Sequence, residues 1–137
     1  DSHLINVPRE IPNIKTERII TKSICRNAAK IANDINASAI CTLTHSGYTG
    51  WQISSWRPNS LVLVFTSNKR ILSQLNLLWG VKCIYYNKFL STDKTVEDVN
   101  LLALKNRFIR KGDVVINLAA MPIKDKGQVN TLRITKV

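Results

Sequence analysis

From Thr16 onward the chain alternates between helical and extended periodicities. Ile20, Ile24, Ala28, Ile31 and Ile35 recur every three to four residues, while Lys22, Arg26 and Lys30 occupy another face. That spacing predicts an amphipathic helix running out near Asn33 to Asn36. Ala39 to Thr42 is a short apolar run read as a first strand, and a short helix is predicted to end at Trp56, because Pro58 forces Arg57 toward extended backbone. Leu61-Val62-Leu63-Val64-Phe65 is apolar at successive positions, the mark of a strand buried on both faces. Asn68 is a suitable N-cap for a third helix with Leu72, Leu75 and Leu78 or Trp79 inward and Gly80 as its stop.

Val81 to Tyr86 reads as a third strand, and Thr95 with Asp98 three positions later resembles a capping box opening a fourth helix. Glu97 and Asp98 near its start and Lys105 to Lys111 near its end suit the helix dipole, with Gly112 as terminator. Val114 to Ala119 makes a fourth strand. Leu132 and Ile134 alternate with Thr131, Arg133 and Thr135, as in a strand with one buried face at a sheet edge. Helices alternating with strands imply an open α/β sandwich of largely parallel strands joined by right-handed crossovers. The last strand, reached without a helix, should be antiparallel.

Composition supports one globular domain: 137 residues, 45% hydrophobic and 21% charged. Residues 1–15, with Pro8 and Pro12 and no periodicity, read as a linker remnant before a domain spanning 16–137. No apolar stretch approaches the ~20 residues of a bilayer span, and no signal-peptide pattern opens the chain, so cytosol is the default compartment and a membrane partner is not expected. Cys25, Cys41 and Cys83 have neither C-x-x-C spacing nor a paired framework and read as reduced, mostly buried thiols. The formal net charge of +11 invites a nucleic-acid reading. The basic residues are dispersed and not interleaved with aromatics, so a solvated surface is preferred. Trp51, Trp56 and Trp79 are read as packing residues on helices.

Candidate chemistry concentrates after the first strand. In open α/β sheets ligands bind beyond the carboxyl ends of the strands. Thr44-His45-Ser46-Gly47-Tyr48-Thr49-Gly50 puts hydroxyls, a histidine and flexible backbone between a strand end and a helix start. A helix N-terminus offers unpaired N–H donors and a positive dipole to a phosphate. The same composition fits an ordinary turn capped by Ser46 or Thr49, and local composition does not separate the two. No Walker loop, dinucleotide fingerprint or nucleophile elbow is present. No cluster has metal-ligand spacing and no carboxylates pair as acid and base, so neither a metal site nor catalytic residues are assigned.

The succession Ala39 to Thr49, followed by Trp56-Arg57-Pro58-Asn59, resembles the carboxy-terminal domain of pyruvate kinases. Leu78-Trp79-Gly80-Val81, Lys111 to Ile116 and Asn130 to Ile134 resemble three further segments of that domain at family-like intervals, so the resemblance covers about Thr16 to Val137. It implies a three-layer α/β/α sandwich whose five-stranded, mostly parallel sheet has the order 3-2-1-4-5 with the last strand antiparallel. It further implies an attached (β/α)₈ barrel that transfers phosphoryl from phosphoenolpyruvate to ADP with Mg²⁺ and K⁺. Such a barrel takes about 250 residues, so this chain alone is expected to be inactive and to bind no cofactor. In effector-regulated members the loop matching Thr44, His45, Ser46, Gly47, Tyr48 and Thr49 grips a sugar phosphate. His45 stands where animal members have lysine. Lys124, Lys126 and Gly127 fall in the segment matching a second effector loop. The resemblance also implies a homodimer through the 131–137 strand and a homotetramer of the full-length enzyme. A stand-alone module for phosphorylated metabolites or nucleic acid is the alternative.

Overall fold

The computed structural model describes residues 13–44, 47–78, 80–88, 92–119 and 131–137. Helix α1 spans Asn13–Ile35 and is followed by β1 (Ala39–Leu43), α2 (Tyr48–Ser55), β2 (Leu61–Thr66) and α3 (Lys69–Leu75). Then come β3 (Val81–Tyr85), α4 (Thr92–Lys105), β4 (Val114–Ala119) and β5 (Thr131–Lys136). The sheet has the order β3-β2-β1-β4-β5. Its pairs are parallel except β4 with β5, which are antiparallel with Ile116 opposite Ile134.

Alternate residues of the central strands feed two cores. Ile40, Val62, Val64, Ile116 and Leu118 meet Cys25, Ala28 and Ala32 of α1, Ile53 of α2 and Ile71 and Leu75 of α3. Ala39, Cys41, Leu63, Phe65 and Val115 meet Val99 and Ala103 of α4, with Tyr86 and Ile109. Three helices therefore cover one face and α4 the other, which is why the strands read as unbroken apolar runs. Small residues at Ala28, Ala29 and Ala32 let α1 lie close on the sheet. Lys22, Arg26 and Lys30 stay outside this packing, all exposed on the outer face of α1.

Several boundaries differ from the sequence expectation. Helix α1 begins at Asn13, three residues before the periodicity that predicts it. Asn68 does cap α3, accepting from the Arg70 N–H at 3.1 Å, but the buried positions are Ile71 and Leu75, with Leu72 only half-buried. Helix α4 starts at Thr92, which places Thr95 inside its first turns rather than at a cap. It ends at Lys105, well before Gly112. Phe108 N–H donates to Ala103 O and Arg107 N–H to Leu104 O, both at 3.0 Å, with Arg107 at φ 63°. This is a Schellman ending built on a non-glycine residue. Asn36 (φ 53°) closes α1 in the same way, with Ala37 N–H on Ala32 O at 2.9 Å. Trp51 and Trp56 are not packing residues: they are 52% and 49% exposed on and just past α2. Trp79 lies outside the described residues.

Candidate functional site

The chain runs outward from β1 through β2 to β3 and then crosses back to β4, so the sheet changes direction between β1 and β4. Sheets of this type take ligands beyond the carboxyl ends of the strands that flank such a change of direction. Two features lie toward these strand ends, the turn from β1 into α2 on one face and a small cleft beneath α4 on the other.

The turn is held by backbone and hydroxyl together. Thr44 N–H donates to Phe65 O at 3.0 Å, tying the end of β1 to β2. Thr44 Oγ1 accepts from Gly47 N–H at 3.1 Å, so this hydroxyl braces the turn. Gly47 sits at φ 83°, in the left-handed region open to glycine, and forms the N-cap of α2 without a side-chain cap bond. A Cβ there would also lie 3.2 Å from Ile71 Cδ1 and 3.3 Å from Leu75 Cδ1. The first-turn N–H groups of an α-helix have no acceptor within the helix itself. Thr49 does not act as the predicted cap: it lies within α2, is 4% exposed and packs inward, and its carbonyl accepts from Cys25 Sγ at 3.9 Å. Tyr48 is half-buried at the rim. Of the predicted loop residues, the turn thus brings Thr44, Gly47, Tyr48 and Thr49 together. His45 and Ser46 lie outside the described residues, as do Lys124, Lys126 and Gly127 of the second predicted loop.

The cleft was not anticipated from sequence. A cavity of about 20 Å³, room for about one water, is lined by Cys41 to Leu43 of β1, Asn117 to Ala119 of β4 and Thr95, Val96 and Val99 of α4. Asn117 is the signal that could have found it, a polar residue inside the otherwise apolar strand VVINLA. Burial pushes the Cys41 thiol up to about 12, so it stays protonated and unreactive at neutral pH. Tyr86, beside α4, donates its hydroxyl to Asp98 Oδ2 at 2.9 Å, and Lys88 Nζ lies 3.5 Å from the same oxygen. Burial first, and the Asp98 carboxylate second, raise the Tyr86 pKa to about 12. These groups anchor α4 to the end of β3. Among the described residues that line the cleft, no nucleophile is paired with a base.

An open α/β sheet of this strand order, with its direction change between β1 and β4, defines an α/β domain of the open-sheet class. The family model described as "Pyruvate kinase, alpha/beta domain" matches residues 22–135, and the chain belongs to that family. It is 34% identical over 122 residues to a pyruvate kinase of Clostridium acetobutylicum, covering 89% of this chain and 25% of that protein. With a pyruvate kinase of Lactobacillus delbrueckii subsp. bulgaricus it shares 29% identity over 115 residues, 84% of this chain and 20% of that protein. The crystal structure of a pyruvate kinase from Cryptosporidium parvum superposes over 98% of this chain and 25% of its own, with a TM-score of 0.75 and 24% identity, which shows a shared fold. The chain therefore spans about a fifth to a quarter of the length of these relatives. No helix among the described residues is long and apolar enough to cross a membrane.

Proposed function

We propose that this chain acts as the regulatory and oligomerisation domain of a pyruvate kinase, a cytoplasmic glycolytic enzyme transferring phosphoryl from phosphoenolpyruvate to ADP, and that it binds a sugar-phosphate effector at the 44–49 turn. The observation that carries this reading is the α2 N-terminus, held by the Gly47 turn at the switch point of a family sheet. Its first-turn N–H groups and dipole favour a phosphate, and His45 and Ser46 belong to the same turn by sequence. Mg²⁺ and K⁺ would be bound by the catalytic barrel, outside this chain. The open edge of β5 supports self-pairing into a homodimer, and with the barrel present a homotetramer.

Calorimetric titration with fructose 1,6-bisphosphate, glucose 6-phosphate and inorganic phosphate tests the effector reading. At least one sugar phosphate should bind. Ser46→Asp should weaken it about tenfold or more through like-charge repulsion, with an unchanged circular dichroism spectrum. Unchanged affinity in that variant moves the site elsewhere, and no binding by any of the three ends the effector reading. The same preparation should form no pyruvate from phosphoenolpyruvate and ADP.

A further inference from the structure

Three side chains from three elements close a ring of hydrogen bonds at the antiparallel margin of the sheet. Asn117 Nδ2 on β4 donates to Asn100 Oδ1 on α4 at 3.0 Å. Asn100 Nδ2 donates to Thr135 Oγ1 on β5 at 3.2 Å. Thr135 Oγ1 donates to Asn117 Oδ1 at 2.8 Å and completes the circuit. Within the ring each member gives one hydrogen and takes one, so the set is satisfied only with β5 docked in this register. A slip of one residue turns Thr135 to the other face of the sheet, and a slip of two brings Arg133 or Val137 to its place. Neither supplies a hydroxyl.

Beyond its ladder with β4 and its side-chain bonds, β5 buries little apolar surface. None of its six residues is buried, whereas five of the six in β2 and in β4 are. Its apolar anchors are the partly buried Leu132 on one core and Val137, just past its end, on the other. A strand rich in ladder bonds and poor in buried apolar contact belongs to the low-stability end of a fold, where units open locally. We infer that β5 is a latch strand: it undocks as a unit while the parallel strands β3-β2-β1-β4 stay folded, and the Asn100–Asn117–Thr135 ring sets how often it does so. Undocking uncovers the outer backbone edge of β4 and withdraws the edge proposed for self-pairing, so the latch governs which edge meets a partner. That consequence rests on the association reading above, whereas the latch itself does not.

Hydrogen exchange resolved to single amides tests the latch. Val137 N–H donates to Asp113 O at 2.8 Å, so in the alternating antiparallel ladder Thr135 and Arg133 also turn their N–H groups toward β4. At neutral pH without denaturant these two amides should exchange at least tenfold faster than those of Cys41 and Leu63. Thr135→Val should speed them about tenfold further, while Thr135→Ser, which keeps the hydroxyl, stays near wild type; both amides should stay faster than Cys41 and Leu63 in every variant. Self-pairing would protect the outward amides of Leu132, Ile134 and Lys136 instead, so the two readings separate. Equal rates for Arg133, Thr135 and Cys41 would show β5 leaving only in global unfolding and overturn the inference. A Thr135→Val effect that is absent at Arg133 and Thr135, or that is matched by Thr135→Ser, would overturn the role of the ring.

Discussion

The hydroxyl of Thr42 is buried in β1, 1% exposed, and has no hydrogen-bond partner. Its strand neighbours in register are Val64 and Leu118, so the apolar face offers no acceptor. An unmade hydrogen bond on a buried group costs about 1–3 kcal/mol, and valine has nearly the same shape. Thr42→Val should therefore raise unfolding stability by about 1 kcal/mol, seen as a higher urea midpoint with an unchanged slope. A lower midpoint would mean that the hydroxyl has a partner in solution, such as a buried water. Periodicity placed Thr42 within a strand but is silent on hydroxyl satisfaction, which depends on residues more than twenty positions away in the chain.

At the scale of elements, α2 and its turn show what spacing conveys and what contact decides. Two glycines marked the segment as a turn. Only packing separates their roles: Gly47 needs its positive φ, while a Cβ on Gly50 would sit 2.6 Å from Val64 Cγ2. Alanine at Gly50 gains about 1 kcal/mol of helix propensity but overpacks the α2–β2 contact at a cost of about 1–3 kcal/mol. Gly50→Ala should thus be neutral to destabilising by about 2 kcal/mol, where an open helix face would show a gain. In a Val64→Ala background the clash is removed, and the same substitution should stabilise. A double-mutant cycle in urea showing additivity would contradict this close approach. The strands were legible because burial on two faces writes continuous apolar runs, and the Asn68 cap was legible because its chemistry is local. The ends of α1 and α2 were legible too, near Asn36 and at Trp56, but that of α4 was not, because Arg107 takes the left-handed position that the spacing assigned to Gly112.

For the whole molecule the two sheet edges differ. On β3, Cys83 N–H is taken by Asn76 Oδ1 at 2.9 Å and Val81 N–H by Leu78 O at 3.4 Å, so that edge is partly covered. On β5, alternation leaves the backbone groups of Leu132, Ile134 and Lys136 facing outward, an edge that invites pairing. Self-pairing about a two-fold axis at Ile134 would set Arg133 against the partner's Thr135 and keep the arginines apart. Sedimentation should show a concentration-dependent dimer, strengthened by salt that screens the basic surface, with a Debye length of about 10 Å at ~0.1 M. Ile134→Pro removes an outward N–H and should give a monomer of unchanged fold, whereas proline at Arg133 would break the ladder to β4 itself. A strict monomer at all concentrations, or a dimer indifferent to Ile134→Pro, rules this edge out. The sequence by itself determined the α/β class, the order of elements and the turn after β1, because these rest on local periodicity and on residue types whose preferences act within a few positions. Tertiary structure alone decided that Thr44 braces the turn and Thr49 is sequestered, that the tryptophans of the α2 segment face solvent, and that Asn117 meets Asn100 and Thr135. These depend on the distance and direction between side chains far apart in the chain, which only the packed sheet and its helices bring together.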